Sequence, residues 1–195
     1  MTRRFLTALL PLATVFPLAQ AGNIPRPAPE FSIRMVDDSQ ILLSHMRGKV
    51  VAIEFLLTTC PHCKAASKVL TKLQNEWGPK GLQCIGVAID LMPKLGLPGF
   101  VAETGASYPV GYSEYNAAVA FMEHPPQIRL LVPQVMVIDR KGIVRALRGG
   151  EDDEFFKDEE KVLRGIIGPL LNQGATPAAK RSGAVRKTAA KKKTT

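Results

Sequence analysis

The sequence has little cysteine and histidine, and this scarcity excludes whole classes of metal and haem proteins. It contains three cysteines, of which Cys60 and Cys63 form the one CxxC pair. A structural zinc site needs four ligands, and one CxxC pair supplies two of them. Covalent haem attachment requires a histidine directly after the second cysteine, where Lys64 stands. We therefore expect no metal and no cofactor.

Acidic residues are missing from both ends of the chain. All 17 lie between Glu30 and Glu160, although the chain as a whole carries a formal charge of +9. Residues 22–175 contain 17 lysines and arginines and are formally neutral, so the excess charge lies at the termini. The basic character therefore predicts no specific nucleic-acid-binding surface on the folded part.

A long apolar run is also missing. Phe5–Leu18 is shorter than the ~20 residues that cross a bilayer, and two prolines interrupt it. Arg3–Arg4 precede this segment and Ala19–Ala21 follow it with an A-x-A pattern. Together they predict a signal peptide over residues 1–21 and export to the periplasm or cell envelope. An uncleaved membrane anchor is the alternative.

Residues 176–195 lack the side chains that build a core. They consist mainly of lysine, alanine, threonine and arginine, and Val185 is their one aliphatic β-branched residue. Such a composition cannot bury enough apolar surface to offset the entropy of ordering. We expect a disordered, solvated basic tail, with contact to an anionic surface as the alternative.

Strand and helix patterns alternate through residues 22–175. Val50–Leu57 predicts a buried strand, Pro61–Trp77 an amphipathic helix and Leu82–Ile89 a second buried strand. The other predicted elements are strands at Phe31–Met35, Ile41–Leu43, Tyr108–Val110, Val135–Ile138 and Ile143–Leu147, and helices at Gly99–Thr104, Ser113–Met122 and Asp153–Leu171. This alternation predicts a single α/β domain with helices on both faces of a sheet.

The stretch Cys60-Pro61-His62-Cys63 lies where the first buried strand meets the helix. Two cysteines at this spacing can close a small disulfide ring, and the helix N-terminus favours a thiolate on Cys60. His62 can donate to the Cys60 sulfur or place positive charge near it, unless it is merely an exposed helix residue. The pattern predicts thiol–disulfide exchange.

Three segments together resemble the thioredoxin superfamily. They are the lead-in Ala28–Phe31 with Arg47–Val51, the CxxC helix, and Val132–Gly142. The resemblance covers residues 28–170 and is closest to the exported TlpA/ResA-type thiol–disulfide oxidoreductases, whose fold is shared with AhpC/TSA peroxiredoxins. It implies a thioredoxin fold with a central mixed β-sheet.

The resemblance also implies roles for individual residues. Cys60 matches the exposed nucleophile and Cys63 the resolving cysteine. Pro133 matches a cis proline that packs against the disulfide, although a trans proline at a strand start is the alternative. The backbone of Val132 would then pair with a substrate chain, and we expect Pro61 to contact the substrate as well.

Glu54 is the second notable residue, because it interrupts the apolar strand six positions before Cys60. Burying a carboxylate without partners is costly and should raise its pKa. Thioredoxins have an acid at the matching place that is believed to relay a proton to the resolving cysteine. An acid at a strand edge that reaches water is the alternative. DsbA-type oxidases also share this glutamate and the C-P-H-C sequence, whereas many TlpA-type reductases have tryptophan where Thr59 stands.

We therefore expect a monomeric, exported thiol–disulfide oxidoreductase that exchanges disulfides with client proteins and is recycled by a membrane redox partner. These residues are compatible with oxidation, reduction or isomerisation of the clients. A non-catalytic thioredoxin-fold binding module is one alternative. A peroxiredoxin-type peroxidase is another, but it requires proline and threonine where Ile53 and Leu57 stand. Cys84 is expected to be a buried, inert thiol.

Overall fold

The computed structural model describes residues 23–173, and the predicted signal peptide and basic tail lie outside this range. The helices are α1 (Pro61–Trp77), α2 (Pro93–Thr104), α3 (Tyr115–Met122), α4 (Asp153–Lys157) and α5 (Glu159–Asn172). The strands are β1 (Arg26–Pro27), β2 (Ser32–Arg34), β3 (Gln40–Leu42), β4 (Val50–Leu56), β5 (Leu82–Ala88), β6 (Val110–Tyr112), β7 (Gln134–Ile138) and β8 (Ile143–Gly149). Within residues 23–173, no helix combines the length and the apolar character that crossing a bilayer requires.

The strands form one mixed sheet in the order β1-β8-β7-β4-β5-β6-β2-β3. The three neighbours β4, β5 and β6 are parallel, and every other neighbouring pair is antiparallel. The β4–β5 ladder runs from Val50 opposite Leu82 to Leu56 opposite Ala88. The carboxyl ends of both strands therefore meet at one edge of the sheet, where the Cys60 loop begins.

Strand β4 is apolar on both sides because the sheet is covered on both faces. One core cluster lies against α1, α2 and α5 and includes Leu70, Phe100 and Ile167. The other lies on the opposite face with α3, where the rings of Phe31 and Phe121 stack with centroids 4.4 Å apart. The predicted α/β class, with helices on both faces of a mixed sheet, is confirmed.

Helix α1 has both of the ends that the sequence predicts. Cys60 is its N-cap residue, and Pro61 occupies the first turn, where a missing N–H costs nothing. Beyond the helix, Gly81 adopts φ +98°, a left-handed conformation that favours glycine, and leads into β5. The N-terminal end places Cys60 and Cys63 at the sheet edge beyond β4.

Three predicted elements differ most from the structure, and several others differ by one or two residues at an end. Helix α2 begins at Pro93 rather than Gly99, because Pro93 suits a first turn and the helix continues through Pro98 despite its missing N–H. The predicted helix over Asp153–Leu171 is two helices, since Asp158 leaves helical geometry and caps α5 by accepting from the Lys161 N–H. Strand β6 lies two residues later than predicted, where it pairs with both β5 and β2.

Candidate active site

Cys60 and Cys63 lie together at the start of α1, and neither is in a disulfide in the part of the chain that the structure describes. Cys60 is partly exposed, and its sulfur accepts a hydrogen bond from the Cys63 N–H at 3.4 Å. Cys63 is fully buried in the core cluster beneath it. The pair thus has one accessible sulfur and one hidden sulfur.

The Val132–Pro133 peptide bond is cis, and the trans alternative for this proline is wrong. Pro133 is buried at the start of β7, and the Cys60 thiol donates to the Val132 carbonyl oxygen at a sulfur–oxygen distance of 3.8 Å. Gly149 lies so close that a Cβ there would be 2.0 Å from the Pro133 carbonyl oxygen. The fold therefore brings Cys60 next to the Val132–Pro133 peptide, which is distant from it in sequence.

Glu54 is fully buried in the middle of β4, so the alternative of an edge acid that reaches water is wrong. It lies opposite Gly86 of β5 and Val135 of β7. Ser67 of α1 donates its hydroxyl to Glu54 Oε2 at 2.5 Å. Within residues 23–173, the other oxygen, Oε1, has no hydrogen-bond partner.

The hydroxyl of Tyr108 is a second polar group beside this carboxyl. Its oxygen lies 3.5 Å from Glu54 Oε2 and 3.3 Å from the Ser67 carbonyl oxygen, so its one proton can be donated to either acceptor. Burial raises the pKa of Glu54 to about 8, although the Ser67 hydrogen bond opposes the shift. The nearby charge of Glu159 on α5 contributes to this increase. Glu54 can therefore both hold and release a proton near neutral pH.

Both buried thiols resist ionisation. Burial, contact with the Cys60 sulfur and the charges of Cys60 and Glu54 raise the pKa of Cys63 well above its usual range. Burial and the charge of Glu54 likewise raise the pKa of Cys84, whose thiol donates to the Leu70 carbonyl oxygen at 3.7 Å. Cys63 therefore stays protonated near neutral pH, and the charge of Glu54 is one of the causes that raise its pKa.

His62 and Pro61 lie on the exposed side of the CxxC turn. The His62 ring packs near Phe156, with the ring centroids 5.6 Å apart at an interplanar angle of 60°. Its influence on the Cys60 sulfur and the substrate contact of Pro61 stay predictions. Among residues 23–173, no group of three histidine, cysteine, aspartate or glutamate side chains is placed to hold a metal ion.

Ser67 and Tyr108 belong to the site, but the sequence did not identify them. Ser67 lies four residues after Cys63, on the same face of α1. Its position as a polar residue on an apolar helix face is the one feature of the sequence that points to it. Tyr108 comes from the loop before β6 and carries no comparable local pattern. Their relevance appears only when the fold brings α1, β4 and this loop together.

Comparison with known proteins relates this chain to one protein family and to thiol-disulfide oxidoreductases named ResA. Residues 23–166 match the Redoxin family. The thiol-disulfide oxidoreductase ResA of Halalkalibacterium halodurans is 26% identical over 149 residues, which are 75% of this chain and 79% of that protein. ResA of Oceanobacillus iheyensis is 31% identical over 91 residues, 45% of this chain, and the matched part spans about half of that relative, 47%.

Solved structures share the fold at lower identity. A thiol:disulfide interchange protein of the thioredoxin family from Chlorobium tepidum TLS has a TM-score of 0.60 and 24% identity, over 75% of this chain and 99% of that one. A thiol:disulfide interchange protein from Bacteroides sp. has a TM-score of 0.60 and 16% identity, over 84% of this chain and 99% of that one. These similarities confirm the predicted thioredoxin fold.

Proposed function

The chain belongs to the Redoxin family, as a TlpA/ResA-like oxidoreductase of the thioredoxin superfamily, and on this premise we propose that it exchanges disulfides with exported client proteins through Cys60 and Cys63. One observation supports this most directly. The accessible Cys60 sulfur lies at the N-terminus of α1 beside the Val132 carbonyl, with buried Cys63 directly beneath it.

In the reducing direction, the Cys60 thiolate attacks one sulfur of a client disulfide. A bond forms between Cys60 and that sulfur, the client disulfide breaks, and the other client sulfur leaves as a thiolate. Cys63 then gives its proton to the Glu54 carboxylate and attacks the Cys60 sulfur. The Cys60–Cys63 disulfide forms, the bond between Cys60 and the client breaks, and the client sulfur leaves as a thiolate. The client leaves with both sulfurs reduced, and its two electrons come from the Cys60–Cys63 pair.

The reverse sequence oxidises a client dithiol, and Glu54 then returns the proton to the departing Cys63 sulfur. A pKa of about 8 leaves both protonation states of Glu54 available near neutral pH, which suits either direction. The ResA-like scaffold favours reduction, whereas Cys-Pro-His-Cys with Glu54 favours oxidation. His62, which lies between the cysteines, is the residue that we expect to tune this balance.

Client contact is supported by the surface around Cys60. The Val132 carbonyl lies beside the Cys60 sulfur, where an extended client chain can pair with the backbone. Leu91, Met92 and Leu95 are exposed in the segment that follows β5 at the same sheet edge. We propose that the protein acts as a monomer in the periplasm or cell envelope and is recycled there by a membrane redox partner.

Trapping of the mixed disulfide tests this proposal. When the reduced protein is mixed with oxidised glutathione, Cys63→Ser should accumulate a stable glutathione adduct on Cys60, because no second thiol can release it. Cys84→Ser should exchange like the wild type, since Cys84 is buried away from the surface. Intact mass spectrometry reads out each species. Absence of any adduct in Cys63→Ser would contradict catalysis and leave the non-catalytic binding module.

A further inference from the structure

The turn that joins β4 to α1 contains a buried threonine. Thr58 is buried, whereas its neighbours Leu57 and Thr59 are exposed. The turn closes with a hydrogen bond from the Cys60 N–H to the Leu57 carbonyl oxygen at 3.0 Å. The position of Thr58 therefore determines where the backbone of Cys60 enters α1.

Asp90, which lies just beyond the end of β5, holds Thr58 in place. The Thr58 backbone N–H lies 3.1 Å from both carboxylate oxygens of Asp90, and the Thr58 hydroxyl donates to Oδ1 at 2.9 Å. Asp90 follows β5 closely, where the Ile89 N–H donates to the Leu56 carbonyl oxygen at 3.0 Å. Hydrogen bonds to an ionised carboxylate are stronger than those between neutral groups, so this contact is a firm anchor.

Helix α2 closes the other side of Thr58. A Cβ placed on Gly96 would lie 2.3 Å from the Thr58 hydroxyl oxygen and 2.9 Å from its Cβ. Glycine is therefore the residue at this position that allows α2 to pack against the threonine. The side chain of Thr58 is thus held between the Asp90 carboxylate and the backbone of α2.

We propose that Asp90 is a positioning residue, which fixes the Thr58 turn and thereby keeps the Cys60 sulfur in register with Cys63 and Val132. The inference rests on the proposed exchange through Cys60 and Cys63. A disulfide has narrow geometric limits, so a loose Cys60 backbone lowers the effective concentration of one sulfur at the other. A mobile Cys60 backbone should therefore change the equilibrium between dithiol and disulfide much more than it changes the stability of the fold.

The equilibrium between the full-length protein and glutathione tests this inference. The two thiols give two electrons and two protons to oxidised glutathione, which yields the Cys60–Cys63 disulfide and two molecules of reduced glutathione. Asp90→Ala should lower this equilibrium constant by about tenfold, because the turn loses all its carboxylate hydrogen bonds. The equilibrium constant of Asp90→Asn should stay within about threefold of the wild-type constant. The asparagine amide can accept from the Thr58 N–H and donate to the Thr58 hydroxyl oxygen.

Two further variants complete the experiment. Asp38→Ala removes another acid near α2, one that pairs with Lys94, and should leave the equilibrium unchanged. Thr58→Val keeps the backbone N–H contact and removes the hydroxyl contact, so we expect a loss of about threefold. If Asp90→Ala does not fold, Thr58→Val decides the question. In that case an unchanged constant in Thr58→Val would overturn the inference.

The readout separates positioning from a purely structural role. A structural defect destabilises the oxidised and reduced forms alike and leaves the redox equilibrium constant unchanged. If the wild type forms the disulfide and the equilibrium constant of Asp90→Ala lies within about twofold of the wild-type constant, the proposed role of Asp90 is overturned. The proposed function is then unaffected. A wild type that forms no disulfide at any glutathione ratio would instead overturn the proposed function, and this inference with it.

Discussion

Glu54 carries a carboxyl group into the centre of the sheet, where Ser67 and Tyr108 contact one of its oxygens. Burial favours the neutral form, and the two hydroxyls favour the charged one less strongly, so the pKa rises to about 8. The position of Glu54 in an apolar strand predicted both its burial and the direction of this shift. Its partners could not be predicted, because they come from α1 and the loop before β6.

The pH dependence of stability should show this proton. Between the ordinary pKa of 4.5 and about 8, folded Glu54 keeps a proton that the unfolded chain has lost. The free energy of unfolding should therefore fall as the pH rises through this window, by about 1.4 kcal/mol per pH unit. Glu159, whose pKa burial raises to about 7, adds a change of the same sign over the lower part of the window.

Urea unfolding of the reduced protein, measured between about pH 5 and about pH 8, checks this expectation. Glu54→Gln should remove the contribution of Glu54 to the pH dependence of the free energy of unfolding. The smaller contribution of Glu159 should remain. If the free energy of unfolding changes equally with pH in the wild type and in Glu54→Gln, the burial and protonation of Glu54 are contradicted.

At the scale of elements, β7 and β8 show how a side chain fixes a hairpin. Asp139 is buried at the end of β7 and accepts from the Lys141 N–H at 2.8 Å, the Ile143 N–H at 3.0 Å and Arg145 Nε at 2.7 Å. The turn residues between β7 and β8 predicted the hairpin. The convergence of three donors on one carboxylate required the folded geometry of the turn.

Asp139→Ala should lower the free energy of unfolding by about 3 kcal/mol, because it leaves partly buried donors without their charged acceptor. Urea unfolding at neutral pH measures the loss. Asp37→Ala is a suitable control, since Asp37 accepts from Ser39 in an exposed turn and should cost much less. A similar loss in both variants would show that the Asp139 network does not stabilise the hairpin specifically.

The boundaries of the elements show where local sequence determines structure and where packing does. Helix α1 begins and ends as predicted because Pro61 and the glycines beyond Trp77 define its ends locally. The start of α2 was missed because its prolines and glycines are typical of a loop. There the helix forms against the sheet and α1, and packing outweighs weak helix propensity.

At the scale of the whole molecule, Arg140 joins segments that are far apart in sequence. Its guanidinium donates to the carbonyl oxygens of Gly48 at 2.7 Å, Lys80 at 3.0 Å and Leu171 at 3.1 Å. These groups precede β4, follow α1 and belong to the last turns of α5. The sequence placed Arg140 in a turn and gave no indication of this role, because the carbonyls meet only in the folded chain.

Arg140→Ala should lower the free energy of unfolding by about 2 kcal/mol, since three carbonyl groups lose a charged donor. The neighbouring variant Lys141→Ala should change it by less than about 0.5 kcal/mol, because this side chain is exposed. The glutathione equilibrium should not change in either variant, as Arg140 lies at the sheet edge opposite Cys60. A redox change in Arg140→Ala would contradict this separation of stability from chemistry.

The reduction potential of the Cys60–Cys63 pair, measured by equilibrating the protein with glutathione buffers, tests the central claim most directly. We predict one reversible two-electron transition with a midpoint between about −270 and about −120 mV, and Cys84 remaining a free thiol throughout. A value near the upper limit would assign the pair to disulfide donation, and a value near the lower limit to reduction. Failure to form the Cys60–Cys63 disulfide at any ratio, or a disulfide that includes Cys84, would contradict the account.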